Sequence, residues 1–235
     1  MNTGDPNVQR VELVAAALGD LCAELVLVGG CAASLLIDAP TAPPPRVTYD
    51  VDLIAEVAAL HHDHAMEEQF ALRGFQRDVS PEAPICRWRL GAVEVDLMPT
   101  DETVLGFSNR WYPLAAASAT RLSLPSGREI NLISAPAFLA TKFEAFQARG
   151  KGDPFISHDL EDIINVVEGC LSIETDVSAS EPGVRAYLAA QFASLAALPD
   201  FRNVLPGLVT YDDLHSRRVD AVMKRILAIA ALPLP

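Results

Sequence analysis

Between Arg46 and Ile54 the chain reads Arg-Val-Thr-Tyr-Asp-Val-Asp-Leu-Ile, with two aspartates two positions apart in an alternating pattern. Period two predicts a strand over Val47–Ala55, because successive side chains of an extended chain point to opposite faces. Val47, Val51 and Leu53 then fill one face, while Thr48, Asp50 and Asp52 share the other. Two carboxylates on one strand face lie about 7 Å apart at Cα. Left unpaired they repel and raise a pKa, a cost that a cation removes. Their oxygens can converge on a hard cation, which in the case of Mg²⁺ takes oxygen ligands at roughly 2.0–2.1 Å. A second alternating stretch, Val93-Glu94-Val95-Asp96-Leu97, puts Glu94 and Asp96 on one side. Beside the first strand, it would let Asp96 complete a two-metal site that orients an attacking oxygen and stabilises a leaving one. The competing reading is a solvated strand face bearing ordinary surface acids.

Around these strands the pattern is mixed. Val8–Leu18 has apolar residues at helical spacing, and Leu25–Val28 reads as a short buried strand. Gly29-Gly30 follows, and Cys31–Ile37 resumes as helix. A glycine pair between strand and helix lets backbone N–H groups approach a phosphate at the helix N-terminus, or simply makes a tight turn. Ala39–Pro45, rich in proline, cannot be helix interior. Ala58–Leu72 looks helical, Cys86–Leu90 with Val93–Met98 forms a hairpin around Gly91-Ala92, and Ser123–Ile133 a second strand pair around Ser126-Gly127. From Ser134 the pattern turns helical, over Ala135–Arg149, about Asp159–Glu168, Val184–Leu198 and Asp212–Ala231. No internal repeat is visible. The expectation is an α/β (α+β) core with a mixed sheet over residues 1–133, followed by a helical domain over 134–235 that completes the site.

On Ala135–Arg149, Lys142 shares a face with Leu139 and Phe146, where it either reaches an anion as a point charge or snorkels over the core. Asp159 and Asp162 share a face at the next helix start, where the helix dipole alone favours acids. Gly150-Lys151-Gly152-Asp153-Pro154 reads as a loop near phosphates or a plain linker.

Composition narrows the function classes. In 235 residues, 18 Lys+Arg face 31 Asp+Glu for a net charge of −13, which argues against a generic nucleic-acid binder. The charge is uneven: residues 1–72 are net −9, residues 73–151 net +2 and residues 152–235 net −6. A polyanion would therefore meet the middle third, with Arg87, Arg89, Arg110, Arg121 and Arg128. The longest uncharged stretches, Ala186–Pro199 and Leu25–Ile37, fall short of the roughly 20 residues a spanning helix needs. The first 30 residues lack a basic start and do not read as a signal peptide, so the expectation is a cytoplasmic protein without membrane attachment. Cys22, Cys31, Cys86 and Cys170 form no CxxC pair and are expected buried and reduced.

Val28-Gly29-Gly30, Asp50-Val51-Asp52-Leu53 and the later Asp96 together resemble the DNA polymerase β-like nucleotidyltransferase superfamily. The 19 residues between Gly30 and Asp50 exceed that family's usual gap, and the proline-rich piece accounts for the excess. Within the superfamily the chain is most similar to the AbiEii/AbiGii toxin group, which includes the MenT-type toxins. The group's helical lysine motif matches Lys142-Phe143-Glu144-Ala145-Phe146-Gln147-Ala148-Arg149, and its acidic helix start matches His158-Asp159-Leu160-Glu161-Asp162-Ile163, with His158 where the group often has Arg. The resemblance spans residues 24–168.

That resemblance implies a nucleotidyltransferase that moves an NMP from an NTP to an acceptor hydroxyl with Mg²⁺ or Mn²⁺. It assigns Gly29, Gly30, Thr48 and Lys142 to the nucleotide, and Asp50, Asp52 and Asp96 to the metal. Asp159 would support acceptor activation or orient Lys142. A tRNA 3′ end or a protein hydroxyl is the implied acceptor, and a cognate antitoxin the implied partner. Two other readings stand beside it: an antibiotic (aminoglycoside-type) nucleotidyltransferase, and a nucleotide-binding protein without catalysis. His61-His62-Asp63-His64 is read as a solvated helix face, Trp88 and Trp111 as isolated aromatics, and Arg217-Arg218 with Lys224-Arg225 as an exposed helix face.

Overall fold

The computed structural model describes residues 2–40, 42, 45–56, 60–106, 108–150 and 152–233, with the backbone alone of residues 60–64 and 105. Thr41, Pro43 and Pro44 of the proline-rich segment, Ala58, Lys151 and the side chains of His61, His62, Asp63 and His64 lie outside the described residues. Contacts divide the chain into two compact units, Met1–Leu35 with Arg46–Ser134, and Leu36–Pro45 with Ala135–Pro235.

The first unit begins with helix α1 (Pro6–Leu18), two residues earlier than the apolar spacing marks, because Asp5 caps it. The Asp5 carboxylate accepts from the Asn7 N–H at 2.8 Å, and Pro6 takes the first position, where its missing N–H costs nothing. A 3₁₀ turn (Gly19–Ala23) leads to β1 (Leu25–Val28), and α2 (Gly29–Leu36) starts at the glycine pair itself, with no intervening loop. β2 (Asp50–Ala55), α3 (Leu60–Leu72), β3 (Gln76–Arg77), β4 (Arg87–Leu90) and β5 (Val93–Pro99) follow. Two short helices, α4 (Glu102–Leu105) and α5 (Tyr112–Ala117), precede the hairpin of β6 (Thr120–Ser123) and β7 (Glu129–Leu132).

The seven strands form one mixed sheet in the order β3-β4-β5-β2-β1-β7-β6. β2 runs parallel to β5 and β1 parallel to β7, while the other neighbours are antiparallel. Leu25, Leu27, Val51, Leu53 and Ile130 line one apolar cavity together with Val11, Val14 and Leu18 of α1, so α1 covers one face of the central strands. Each such buried aliphatic side chain is worth about 1.5–3 kcal/mol relative to exposure. With that face committed to α1, the period of two turns Asp50 and Asp52 to the other face. At the far edge Phe70 stacks on Phe75 at 4.7 Å and on Trp88 at 5.5 Å, which fastens α3 to β4.

β2 is shorter than the alternation predicts, starting at Asp50 rather than Val47. The fully buried Asn7 accepts from the Thr48 N–H at 2.9 Å and donates to the Arg46 carbonyl at 2.9 Å and to Ser34 Oγ at 3.0 Å. The backbone of residues 46–48 thus spends its hydrogen bonds on a side chain instead of a ladder.

The second unit is helical: α6 (Ala135–Ala148), α7 (His158–Gly169), α8 (Ile173–Ala179), α9 (Pro182–Ala197), α10 (Phe201–Leu208) and α11 (His215–Ala230). α8 and α10 were not expected; α10 contains Pro206 and Gly207, which mask it in a propensity reading. Residues 36–45 belong here, and the N–H groups of Asp38 and Ala39 both donate to the Gly169 carbonyl at the end of α7, at 3.1 and 2.9 Å. Phe143 of α6 meets Phe192 of α9 edge to face at 4.8 Å. The protein is therefore mixed α/β with a helical C-terminal half. Among the described residues no helix is long and apolar enough to cross a membrane, and all four cysteines are buried and free.

Replacing Asn7 by alanine strands a buried N–H, a part-buried carbonyl and a buried hydroxyl, a buried group costing about 1–3 kcal/mol when unmet. Asn7→Ala is expected to cost about 3 kcal/mol or more, read as a lowered midpoint in urea unfolding with an unchanged m-value.

Candidate metal centre

The parallel register of β2 and β5 sets Asp50 beside Glu94 and Asp52 beside Asp96. Asp50, Asp52 and Asp96 each bring a carboxylate oxygen within 4.8 Å of the other two. Two oxygens on opposite sides of a Mg²⁺ ion stand about 4.2 Å apart, so small side-chain rotations suffice to bring this set into coordination distance. The triad can hold a metal ion. Asp96 is buried, at 7% exposure, and the other two are half-buried.

The two glycines are required by what packs against them. Gly29 has φ +66, and a Cβ there would stand 1.8 Å from Asp52 Oδ2. A Cβ on Gly30 would stand 2.3 Å from the Thr48 methyl and 3.6 Å from Arg46 Nη2. The bare backbone at the start of α2 therefore lies directly against a triad carboxylate and beside a guanidinium. Arg10 and Arg46 are the only basic residues in the first 72, and Arg46 is placed at this turn. Thr48, expected on the strand face, precedes the strand and is buried. Its hydroxyl donates to the Asp50 carbonyl at 3.2 Å and pairs with Cys31 Sγ at 3.1 Å. Burial pushes the Cys31 thiol up to about 12, so it stays protonated beside Thr48.

Arg87, named from the sequence only as one of five arginines of the basic middle third, lies on the triad itself. Its Nε donates to Asp96 Oδ1 at 2.8 Å and its Nη2 to Asp96 Oδ2 at 2.8 Å. Nη2 also reaches Asp50 Oδ2 at 3.2 Å, and Nη1 donates to Glu94 Oε2. Hydrogen bonding to Asp96, above all, holds the guanidinium more firmly protonated than usual. A signal for it existed: the two-residue turn at Gly91-Ala92 pairs Leu90 with Val93, and counting outward pairs Arg87 with Asp96. Arg89 is likewise engaged, with Asp78 at 2.6 Å and Glu94 at 3.0 Å. These two arginines of the basic middle third thus face carboxylates of their own sheet.

The remaining site candidates lie in the second unit, where Lys142 and Asp159 come together. Lys142 is buried rather than snorkelling, its Nζ 2.7 Å from Asp162 Oδ2 and 3.2 Å from Asp159 Oδ1. Arg149, itself exposed, grips Asp159 with two hydrogen bonds of 2.8 Å. Burial raises the Asp159 carboxyl, but Arg149 and Lys142 outweigh it and hold the group below its ordinary value of 3.8. His158 is exposed and pairs only loosely with Glu161, at 3.3 Å. Trp88 belongs to the aromatic cluster under Arg77. Arg218 binds Asp212 and Glu168, and Arg225 donates to the Val167, Glu168 and Cys170 carbonyls that end α7, so neither presents an open basic face.

No protein-family model matches the chain, and no curated protein matches it.

Lys142→Met leaves the Asp162 carboxylate, 1% exposed, without its ammonium partner, a change that typically costs about 3–5 kcal/mol. The loss should appear in full at pH 7 in urea unfolding. A carboxyl held low in the fold contributes stability above its unfolded value that is lost as pH falls through the folded one. Arg149 and Lys142 hold the Asp159 carboxyl low in this way, so the part of the difference between wild type and Lys142→Met that comes from Asp159 should fade as pH falls below its ordinary value of 3.8.

Proposed function

We propose that this protein is a metal-dependent nucleotidyltransferase that moves an NMP from an NTP to an acceptor hydroxyl. The observation that carries the reading is the convergence of Asp50, Asp52 and Asp96 against a glycine turn that opens a helix. Carboxylates alone would suit many cations. A bare helix start with φ +66 in contact with one of them adds a place for phosphate beside the place for metal.

In this reading Asp50, Asp52 and Asp96 hold Mg²⁺ or Mn²⁺. Such a centre supplies Lewis-acid stabilisation of the charge that builds on the phosphate oxygens and on departing pyrophosphate. The first N–H groups of α2, freed of side chains at Gly29 and Gly30, bind the triphosphate, with Arg46 beside them. The acceptor oxygen forms its bond to the α-phosphorus as the bond to the bridging oxygen breaks, pyrophosphate leaves with that oxygen, and the hydroxyl proton passes to water. Thr48, buried on Cys31, shapes the turn that receives the nucleotide. The resemblance assigns Lys142 to the triphosphate and Asp159 to orienting Lys142; the 3.2 Å ion pair between them supports the second role. From its resemblance to the AbiEii/AbiGii toxin group, we further propose a tRNA 3′ end as acceptor and a cognate antitoxin as partner.

Incubation of the purified chain with each α-labelled NTP and Mg²⁺ tests this, with total tRNA or an aminoglycoside panel as acceptor. Label is expected on tRNA, abolished by EDTA. Asp52→Asn should lower the rate by more than about a hundredfold, beyond the 10–100-fold that loss of a ligand's supporting partner costs. Label on the drug would replace the tRNA reading by the antibiotic one, and transfer to no acceptor would overturn both.

A further inference from the structure

We propose that Arg87 is a resident counter-cation that makes the carboxylate centre take its divalent ion together with nucleotide rather than as the free ion. The inference rests on the reading of Asp50, Asp52 and Asp96 as a metal centre.

Arg87 is placed by register, opposite Asp96 across the β4–β5 hairpin, and its planar fork meets both oxygens of that carboxylate. The same guanidinium touches Asp50, a second member of the triad, and Glu94 next to it. Its side chain is 17% exposed and that of Asp96 10%, so water screens the pair only in part. A fork laid on both oxygens occupies the lone pairs that lie between them, which leaves Asp96 the outer ones for any metal. A free divalent cation entering the triad gains the carboxylates but meets a fixed positive charge in contact with two of its three ligands.

A metal–nucleoside triphosphate complex arrives with net negative charge, because the triphosphate carries more charge than one divalent ion cancels. Toward that complex the guanidinium is attractive. One charge therefore opposes the bare ion and favours the loaded substrate, and nucleotide and metal bind with positive coupling. A purely structural strut would act otherwise: by holding Asp96 in place it would strengthen metal binding of either kind.

The sign of one change separates the two. Mn²⁺ is titrated calorimetrically into full-length wild type, Arg87→Gln, Arg87→Lys and Asp52→Asn, without nucleotide and with saturating α,β-methylene NTP. Arg87→Gln should bind free Mn²⁺ at least about tenfold tighter than wild type, the effect of a unit charge on a divalent ion across about 6 Å at the dielectric of water. Its gain in Mn²⁺ affinity from nucleotide should shrink by a similar factor. Arg87→Lys, which keeps the charge and loses the fork, should stay within about threefold of wild type. Unchanged or weaker binding by Arg87→Gln overturns the proposal, as does tightening by Arg87→Lys to the same degree. Should Arg87→Gln fail to fold, wild-type affinity for Mn²⁺ that nucleotide does not raise overturns it equally. Mn²⁺ binding by Asp52→Asn as tight as by wild type instead overturns the metal centre itself.

Discussion

Asp50, Asp52, Glu94 and Asp96 crowd four carboxylates onto two parallel neighbours in the middle of the sheet, with Arg87 laid across three of them. Like charges on adjacent strands oppose the pairing that brings them together, and the pairing of β2 with β5 is what joins β3-β4-β5 to β2-β1-β7-β6 in one sheet. A guanidinium with five donors in a fixed plane can meet several carboxylates at once, where an ammonium could not cover the same geometry. The hairpin that carries Arg87 is therefore part of the same device as the strand that carries the aspartates. The ion that allows the acids to be assembled is thus in contact with two of the three carboxylates of the triad.

The glycine turn obeys a similar economy. Asp52 fills the space a Gly29 side chain would occupy, and the Thr48 methyl fills that of Gly30. Behind the turn, Asn7 ties the segment before β2 to α1 and α2 through three hydrogen bonds, two of them buried. The carboxylate strand, the helix start and the approach segment are thus cross-braced by contacts among residues 7, 29–34 and 46–52. The helix start stays bare backbone because side chains are absent from it, and it stays in place because of side chains around it.

The second unit solves its own charge problem differently. Lys142 sits between Asp159 and Asp162 in the helical core, and the exposed Arg149 reaches in to share Asp159. Two cations against two acids leave the cluster balanced, which is the condition for burying it. That both residues singled out by motif, Lys142 and Asp159, fall into one contact fits a joint role for them.

Local pattern alone determined the early strands, the late helices, the β4–β5 hairpin and the alternation that puts Asp50 with Asp52 and Glu94 with Asp96. These depend on periods of two and 3.6 residues, which any short window displays. It also marked Gly29-Gly30, because a positive-φ turn between strand and helix leaves few other choices of residue. Tertiary structure decided the rest. Nothing near Val47 announces that Asn7, about forty residues away, takes its neighbours' backbone hydrogen bonds and shortens β2. Helical spacing put Lys142 at the edge of an apolar stripe, and only the packing of α7 on α6 turned it into a buried ion pair. Arg87 lay between the two cases, since hairpin arithmetic pairs it with Asp96 while its reach to Asp50 needs the parallel crossover. Charges act through space over distances the chain closes only by folding, so a composition of −13 gave no hint that a guanidinium occupies the centre of the acids.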